Sequence, residues 1–125
     1  MEISLTRIIL FGQNIEKLKH FYVDNFNFSV IEETPHQWVV LNAGSIEIAL
    51  HKVGEAYATN PDDAFKANSN TKLVFTLKTD LTLFRQELLK RGVAIKEIKS
   101  FEGINSLFCD GEDPEGNVFQ LEERL

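Results

Sequence analysis

The sequence has little cysteine, little positive charge and no long apolar run, and each shortage excludes a class of protein. Its single cysteine, Cys109, cannot form an internal disulfide and cannot alone supply a cysteine-based zinc site. No apolar run approaches the roughly 20 residues that span a bilayer, and the opening residues Met1–Ser4 lack a basic leader. We therefore expect a cytoplasmic protein that does not interact with a membrane.

Acidic residues outnumber basic ones, with 19 Asp and Glu against 13 Lys and Arg, and the formal net charge is −6. Because clustered cations drive binding to phosphate backbones, nucleic acid is not an expected partner. The length of 125 residues fits a single domain, and a hydrophobic content of 43% excludes a wholly disordered chain.

Residues 1–50 are predicted to form a strand, a helix and three further strands. Ser4–Phe11 is rich in β-branched and large apolar residues, which indicates a strand. Asn14 is typical of an N-cap, and the apolar residues that follow it at helical spacing are Ile15, Leu18, Phe21 and Tyr22. This helix is expected to end near Asn25. The later strands of this half are predicted at Phe28–Glu33, Gln37–Leu41 and Ser45–Leu50.

Residues 71–125 are predicted to repeat this order of elements. The first strand is Thr71–Leu77, and the helix after it is capped by Thr79 or Asp80 and closed by Gly92. The apolar positions of this helix are Leu81, Phe84, Leu88 and Leu89. The later strands are predicted at Val93–Ile98, Ser106–Cys109 and Asn117–Glu122.

The two halves align with each other as an internal repeat. Thr6–Phe11 lies over Thr71–Thr76 at an offset of 65 residues. Gly44–Ala49 lies over Gly116–Leu121 at an offset of 72 residues. A repeat of this length indicates two copies of one supersecondary unit.

Residues 51–70 show no clear period and are rich in residues that break helices and strands. A loop of this length is unusual inside a compact domain. We therefore predict a linker that joins a first module, residues 1–50, to a second module, residues 71–125, within one domain that covers residues 1–125.

The most specific stretch of the sequence is Asp110–Leu121, which reads DGEDPEGNVFQL. Proline followed by glycine is typical of a tight turn, because proline fixes one φ angle and glycine accepts a positive φ. At the last hairpin of a doubled βαβββ pattern, this stretch resembles the vicinal-oxygen-chelate superfamily, which includes glyoxalase I, the bleomycin-resistance proteins and the extradiol dioxygenases. Arg7–Tyr22 (RIILFGQNIEKLKHFY) is also similar to the first strand and helix of that superfamily.

The resemblance implies an α+β fold in which two βαβββ modules form a curved, mixed β-sheet half-barrel around a cavity. It also implies that two copies of the chain associate, and the open strand edges of a half-barrel favour a homodimer. Because side chains alternate along a strand, we expect Arg7, Ile9 and Phe11 on the cavity side and Ile8 and Leu10 on the helix side.

Metal-dependent members of the superfamily use up to four His, Glu or Gln ligands, one from the first and one from the last strand of each module. The resemblance places these positions at Arg7, Ile48, Lys72 and Gln120. Arginine and lysine have no lone pair to offer and isoleucine has no ligand atom, so only Gln120 can contribute an oxygen. A one-residue shift to Glu47 or His51 would turn the side chain to the other face of the strand. We therefore expect neither a metal nor another cofactor.

Two interpretations of Arg7 and Lys72 remain open. The two cations can form an anion site, in which Arg7 is a planar fork and Gln120 adds a hydrogen-bond donor. Alternatively, they pair internally with Glu122 or Glu47 and fill space.

Trp38 and Phe108 are candidate contacts for a flat ligand, although core packing explains each ring nearly as well. The complete set of candidate ligand-binding residues is Arg7, Trp38, Ile48, Lys72, Phe108, Gln120 and Glu122. No catalytic residue is assigned.

The sequence leaves three functions open. A metal-free protein resembling the bleomycin-resistance proteins would bind a small organic molecule in the cavity, and the residues at the metal positions favour this hypothesis. Its ligand is expected to carry a negative group that contacts Arg7. The alternatives are a divergent lyase or isomerase resembling glyoxalase I, and an accessory domain that keeps the fold without an activity.

Overall fold

The computed structural model describes residues 1–54 and 68–125, which form two helices and eight strands. The chain divides into two compact units, Met1–Phe65 and Lys66–Leu125. The elements of the first unit are β1 (Arg7–Gly12), α1 (Ile15–Phe26), β2 (Ser29–Thr34), β3 (Trp38–Asn42) and β4 (Glu47–Lys52). Those of the second are β5 (Leu73–Leu77), α2 (Leu81–Lys90), β6 (Ala94–Ile95), β7 (Ser106–Glu112) and β8 (Val118–Arg124). The predicted α+β class and the doubled βαβββ order are confirmed.

Each unit contains one mixed four-stranded sheet, and the two sheets have the same topology. The strand order is β1-β4-β3-β2 in the first unit and β5-β8-β7-β6 in the second. The first and last strands of each unit pair in parallel, β1 with β4 and β5 with β8, while the other neighbours are antiparallel. The first strand of a unit therefore lies beside its last strand.

Helix α1 begins after the predicted N-cap and ends at Phe26, one residue beyond the predicted Asn25. The side chain of Asn14 accepts a hydrogen bond from the backbone N–H of Lys17 at 3.0 Å, which satisfies one of the unpaired donors at the helix start. Asn27 closes the helix with a left-handed φ of +59°. The buried side of the helix consists of Ile15, Leu18 and Tyr22.

Helix α2 is capped by Asp80, one of the two predicted capping residues, whose side chain accepts from the N–H of Leu83 at 3.0 Å. The N–H of Leu81 donates to Glu123 on β8 at 2.7 Å, so the start of the helix is fixed to the sheet. Gly92 follows the helix with a φ of +80°, as predicted. In the described residues, neither helix has the length and apolar character needed to cross a membrane.

One face of each sheet packs against the helix of its own unit. In the first unit, Lys19 of α1 binds Glu33 of β2 at 2.7 Å, and Glu33 lies opposite Val39 on β3. The buried residues on this face of β3 and β4 are Val39, Leu41, Ile48 and Leu50. In the second unit, Glu123 contacts α2, and the buried residues on its side of β8 are Phe119 and Leu121.

Several strand boundaries differ from the predicted ones. Strand β1 begins at Arg7 rather than Ser4, and β4 continues through His51 and Lys52. The last two residues of β4 were expected in the linker, but they pair with β1 and β3. The part of the predicted linker at residues 55–67 lies outside the described residues.

The second unit differs from expectation at β6 and β7. Strand β6 contains only Ala94–Ile95, after which the chain touches β7 at single points such as the Lys99–Phe108 bridge. Strand β7 extends to Glu112 rather than ending at Cys109, because its later residues remain paired with β8.

The turn between β7 and β8 is held by the side chain of Asp113. Its Oδ1 accepts from the N–H groups of Glu115 and Asn117 at 2.9 and 3.0 Å, and its Oδ2 accepts from the side-chain amide of Asn117 at 2.8 Å. Gly116 has a φ of +83°, the positive value expected from the sequence. Asp113 is buried, so these bonds also satisfy a carboxylate removed from water.

Gly111 leaves room for an aromatic ring across the same hairpin. It lies opposite Phe119, and a Cβ atom at this position would come within 2.8 Å of Phe119 Cε2 and 3.1 Å of the Ala94 carbonyl oxygen. Phe119 is 1% exposed, so its ring has no open space into which to move. Glycine is required here for steric reasons.

We expect Gly111→Ala to lower the free energy of unfolding by about 1–3 kcal/mol, since overpacking a dense core displaces its neighbours. The measurement is equilibrium urea denaturation. Phe119→Leu removes the ring and completes a double-mutant cycle, in which the combined variant should lose less stability than the sum of the single variants. Strictly additive losses of unfolding free energy in the two single variants and the double variant would contradict a clash between the added Cβ and the Phe119 ring.

Candidate functional site

The sheet of the first unit turns a second face away from α1, which we name the Arg7 face. Residues that pair directly across β1, β4 and β3 share a face because side chains alternate along each strand. The Arg7 face comprises Arg7, Ile9, Phe11, Trp38, Val40, Asn42, Glu47, Ala49 and His51. Ile9 and Phe11 are exposed and their neighbours Ile8 and Leu10 are less so, which confirms the predicted alternation between the two sides of β1.

Arg7 is paired with Glu47, which lies directly opposite it on β4. The Arg7 Nε and Nη2 groups both donate to Glu47 Oε1, at 3.0 and 2.8 Å. The side chains are 37% and 36% exposed, so water screens this ion pair and its contribution to stability is small. Of the two internal partners that the sequence allowed, Glu47 and Glu122, the structure pairs Arg7 with Glu47.

A row of rings crosses the Arg7 face beside this ion pair. The Trp38 and His51 rings meet edge to face with centroids 5.4 Å apart, and His51 lies 5.4 Å from Phe11. The guanidinium carbon of Arg7 lies 5.6 Å from the centre of the Trp38 ring, and Trp38 Nε1 donates to Glu32 at 3.3 Å. Flat apolar area and charged groups thus lie side by side, an arrangement that suits a planar ligand with a polar substituent.

The sheet of the second unit also turns a face away from its helix, which we name the Lys72 face. By the same alternation it comprises Lys72, Val74, Thr76, Ser106, Phe108, Asp110, Glu112, Val118, Gln120, Glu122 and Arg124. Lys72 precedes β5, and its ammonium group reaches Asp110 on β7. Four of the seven candidate ligand-binding residues therefore lie on this one face.

Asp110 is the centre of the Lys72 face. Its Oδ2 accepts from Lys72 Nζ at 2.8 Å and from Lys99 Nζ at 3.4 Å, and its Oδ1 accepts from Gln120 Nε2 at 3.0 Å. Burial alone would raise the pKa of Asp110, but the hydrogen bonds from Lys72 and Gln120 and the charges of both lysines outweigh it and lower this pKa below its ordinary value. Asp110 is therefore ionised at neutral pH.

Neither Asp110 nor Lys99 was identified from the sequence. The sequence does contain a signal that Asp110 belongs to the site. It lies two residues after the candidate Phe108, and residues two apart on one strand share a face. That signal depended on recognising that the strand continues past Cys109. For Lys99, which lies outside the regular strands, the sequence has no comparable signal.

The other predicted residues of this face have partners of their own. Glu122 Oε2 accepts from Ser106 Oγ at 2.7 Å and lies 3.8 Å from Arg124 Nε. Phe108 is nearly buried, and its ring lies 5.5 Å from that of the more exposed Phe101.

Ile48 lies on the opposite face from the other candidates, and this corrects its placement. It pairs with Ile8, is 1% exposed and belongs to the apolar face that packs on α1. Gln120 pairs with Val74 in the second unit, and the equivalent of that pair in the first unit is Ile9 with Ala49. The repeat offset at this strand is therefore one residue smaller than the sequence alignment indicated, which is enough to change faces.

The positions that the resemblance implies for a metal are therefore Arg7, Ala49, Lys72 and Gln120. Two are cations, one has no ligand atom and one offers a single amide oxygen, so this donor set does not fit a divalent transition metal. Across residues 1–54 and 68–125, no group of three or more His, Cys, Asp or Glu residues is arranged to hold a metal ion.

Cys109 is not available as a nucleophile. It is fully buried on the helix side of β7, and burial raises the pKa of its thiol to about 11. A thiol with this pKa stays protonated at neutral pH, whereas the thiolate is the reactive form.

Two βαβββ units of equal strand order, each with a polar sheet face turned away from its helix, define the class of paired-βαβββ proteins. The family model described as the Glyoxalase/Bleomycin resistance protein/Dioxygenase superfamily matches residues 4–121. The chain belongs to this superfamily. Comparison with curated proteins gives no match.

Solved structures of the same fold cover nearly the whole chain. A lactoylglutathione lyase from Agrobacterium tumefaciens has a TM-score of 0.74 at 18% identity, over 96% of this chain and 92% of that one. The fosfomycin resistance protein FosX from Listeria monocytogenes has a TM-score of 0.78 at 14% identity, over 100% and 96%. The virulence protein STM3117 from Salmonella typhimurium has a TM-score of 0.72 at 19% identity, over 100% and 99%. At these identities the likeness shows the fold alone.

The depressed pKa of Asp110 predicts a pH-dependent contribution to stability. Ionised Asp110 stabilises the folded state above about pH 4, where an unfolded aspartate is also ionised, and this contribution is lost as the pH falls through the lower pKa of the folded state. We expect Asp110→Asn to lower the free energy of unfolding by about 1–3 kcal/mol at pH 7. The difference between the two proteins should shrink below about pH 4, as measured by urea denaturation over a pH series. A difference that does not change with pH would contradict this role.

Proposed function

We propose that the protein binds a small organic molecule on a polar sheet face, the Arg7 face of the first unit or the Lys72 face of the second, without a metal or another cofactor. The observation that carries the proposal is the pairing of each cation with a carboxylate of its own unit, Arg7 with Glu47 and Lys72 with Asp110. Such faces offer hydrogen-bond donors, acceptors and rings to an organic ligand, whereas they offer a metal ion no suitable donor set.

The Arg7 face supplies both contact area and unused hydrogen-bonding capacity. A guanidinium group has five N–H donors, and Glu47 engages the Nε and Nη2 groups through a single oxygen. In the described part of the chain, the remaining donors of Arg7 are open to a ligand. A flat group against Trp38 would lie within reach of them, because the guanidinium group already sits beside that ring.

A divergent lyase or isomerase is the less favoured alternative. Proton transfer in such a reaction needs a general base whose pKa is close to the working pH. Asp110 is the most enclosed carboxylate of the two faces, and its lowered pKa makes it a poor base. We therefore place binding ahead of catalysis.

The assembly that we propose is a homodimer. Strands β1 and β2 are the edges of the first sheet, and β5 and β6 are the edges of the second. Edge strands carry unpaired backbone groups, and Ile9, Phe11 and Val74 add exposed apolar area on β1 and β5. A second copy of the chain is the partner most readily available to cover such surfaces.

The metal-free part of the proposal is tested by thermal denaturation in the presence of added metal ions. A ligand that binds only the folded state raises the melting temperature by mass action. We expect no increase with Zn²⁺, Ni²⁺ or Mn²⁺, and no change in organic-ligand affinity when a chelator is added. An increase with one of these ions that is abolished by Gln120→Ala would overturn this part of the proposal.

The role of Arg7 is tested with a compound selected by its quenching of Trp38 fluorescence. A charge-assisted hydrogen bond contributes about 1.5–3 kcal/mol, so Arg7→Ala should weaken binding roughly 10–150-fold. Arg7→Lys should restore only part of the affinity, because lysine keeps the positive charge but lacks the planar guanidinium group with its several donors. Unchanged affinity together with a lower melting temperature would assign Arg7 to the ion pair alone.

A further inference from the structure

The two lysines of the Lys72 face carry more positive charge than Asp110 neutralises. Lys72 and Lys99 both direct their ammonium groups at the same oxygen, Asp110 Oδ2, and Gln120 adds a neutral donor at the other oxygen. The four side chains together have a net charge of about +1 at neutral pH. Of the other carboxylates on this face, Glu122 is engaged by Ser106 and Arg124, and Glu112 lies two residues beyond Asp110 on β7.

Both ammonium groups retain donors that can reach a ligand. Each ammonium group has three N–H bonds and donates one hydrogen bond to Asp110. The side chains of Lys72 and Lys99 are 43% and 45% exposed, whereas that of Asp110 is 12% exposed. In the described residues, the outer side of the lysine pair is therefore open.

The bound Asp110 carboxylate shows which chemistry this arrangement accepts. Two ammonium groups and an amide converge on one planar carboxylate within the protein itself. A second carboxylate on the outer side would accept hydrogen bonds from the remaining N–H groups of the same two ammonium groups. Charge-assisted hydrogen bonds of this kind are stronger than those between neutral groups.

An aromatic surface lies next to the lysine pair. Phe101 is 46% exposed, and its ring lies 5.5 Å from that of Phe108 and has Lys99 Nζ 5.5 Å from its centre. A flat apolar body attached to the carboxylate could pack on Phe101 while its charge remains at the lysines.

Building on the proposed function, we propose that the ligand class is a small aromatic carboxylate, whose carboxylate binds Lys72 and Lys99 and whose ring packs on Phe101. This assigns the carboxylate to the Lys72 face of the second unit, whereas the Arg7 contact tested above concerns compounds that bind the Arg7 face. The carboxylate is assigned to the lysines because of their charge. Arg7 forms an ion pair with Glu47, whereas Lys72 and Lys99 share the single carboxylate of Asp110.

The test compares three aromatic probes of similar size and different charge: benzoate, neutral benzamide and cationic benzylammonium. Backbone amide NMR shifts of the isotopically labelled full chain report both affinity and location. We expect benzoate to shift the signals around Lys99, Phe101 and Gln120, with a dissociation constant on the order of millimolar for so small a ligand. Benzamide and benzylammonium should bind at least about tenfold more weakly, since each lacks the negative charge.

Two substitutions should change benzoate affinity in opposite directions. Lys99→Met removes one ammonium group and should weaken binding about tenfold, whereas Asp110→Asn removes the competing charge and should strengthen it several-fold. Lys90→Met is the matched control, because it removes one exposed positive charge from α2 in the same unit and should leave the affinity unchanged. Lys99→Met is itself at an exposed position, so it tests the proposal even where Asp110→Asn unfolds the chain.

Three results would overturn the inference: no benzoate shifts, equal binding of benzoate and benzamide, or an equal loss with Lys99→Met and Lys90→Met. The proposed function fails separately, when a screen of neutral, cationic and anionic compounds finds nothing that shifts residues of either face. Compounds that bind elsewhere on the Arg7 or Lys72 face without contacting the lysines would keep the proposed function and refute the aromatic carboxylate.

Discussion

Parallel pairing between the first and last strands of each unit joins side chains that are far apart in the sequence and decides which of them face away from the helix. In the first unit it sets Arg7 directly opposite Glu47. In the second it sets Val74 opposite Gln120, which in turn lies opposite Asp110 on the next strand. A one-residue slip would bury these polar groups against a helix and expose the apolar core, so the core holds the polar face in register.

The two units share a topology but distribute charge differently. The first has one cation with a directly opposed carboxylate beside a row of rings, so that cation is neutralised by its own partner. The second concentrates two ammonium groups on one enclosed carboxylate, which keeps that carboxylate ionised and does not by itself neutralise both lysines. A repeated fold thus provides two chemically distinct surfaces, one favouring flat contact and the other favouring charge.

The order of elements could be predicted because helical periodicity, strand composition and capping residues agree within each of the two modules. The site was less predictable where local preference and tertiary pairing conflict. Asp110 and Gly111 are types that strands disfavour, so the sequence indicated a strand end at Cys109, yet pairing with β8 carries the strand through both residues. The position of Lys99 depends on where an irregular segment crosses β7. Packing determines that crossing, and no periodic pattern in the sequence indicates it.

The Asp113 turn also bears on the order in which the second unit folds. Its carboxylate is bonded to groups within four residues, so the turn can form from local contacts alone. The β7–β8 hairpin that it joins then requires little loop-closure entropy, whereas the parallel β5–β8 pair must close a loop that contains the helix and two strands. We therefore expect the hairpin to form early and to serve as the template on which β5 docks late, so that the polar face is completed only in the last step of folding.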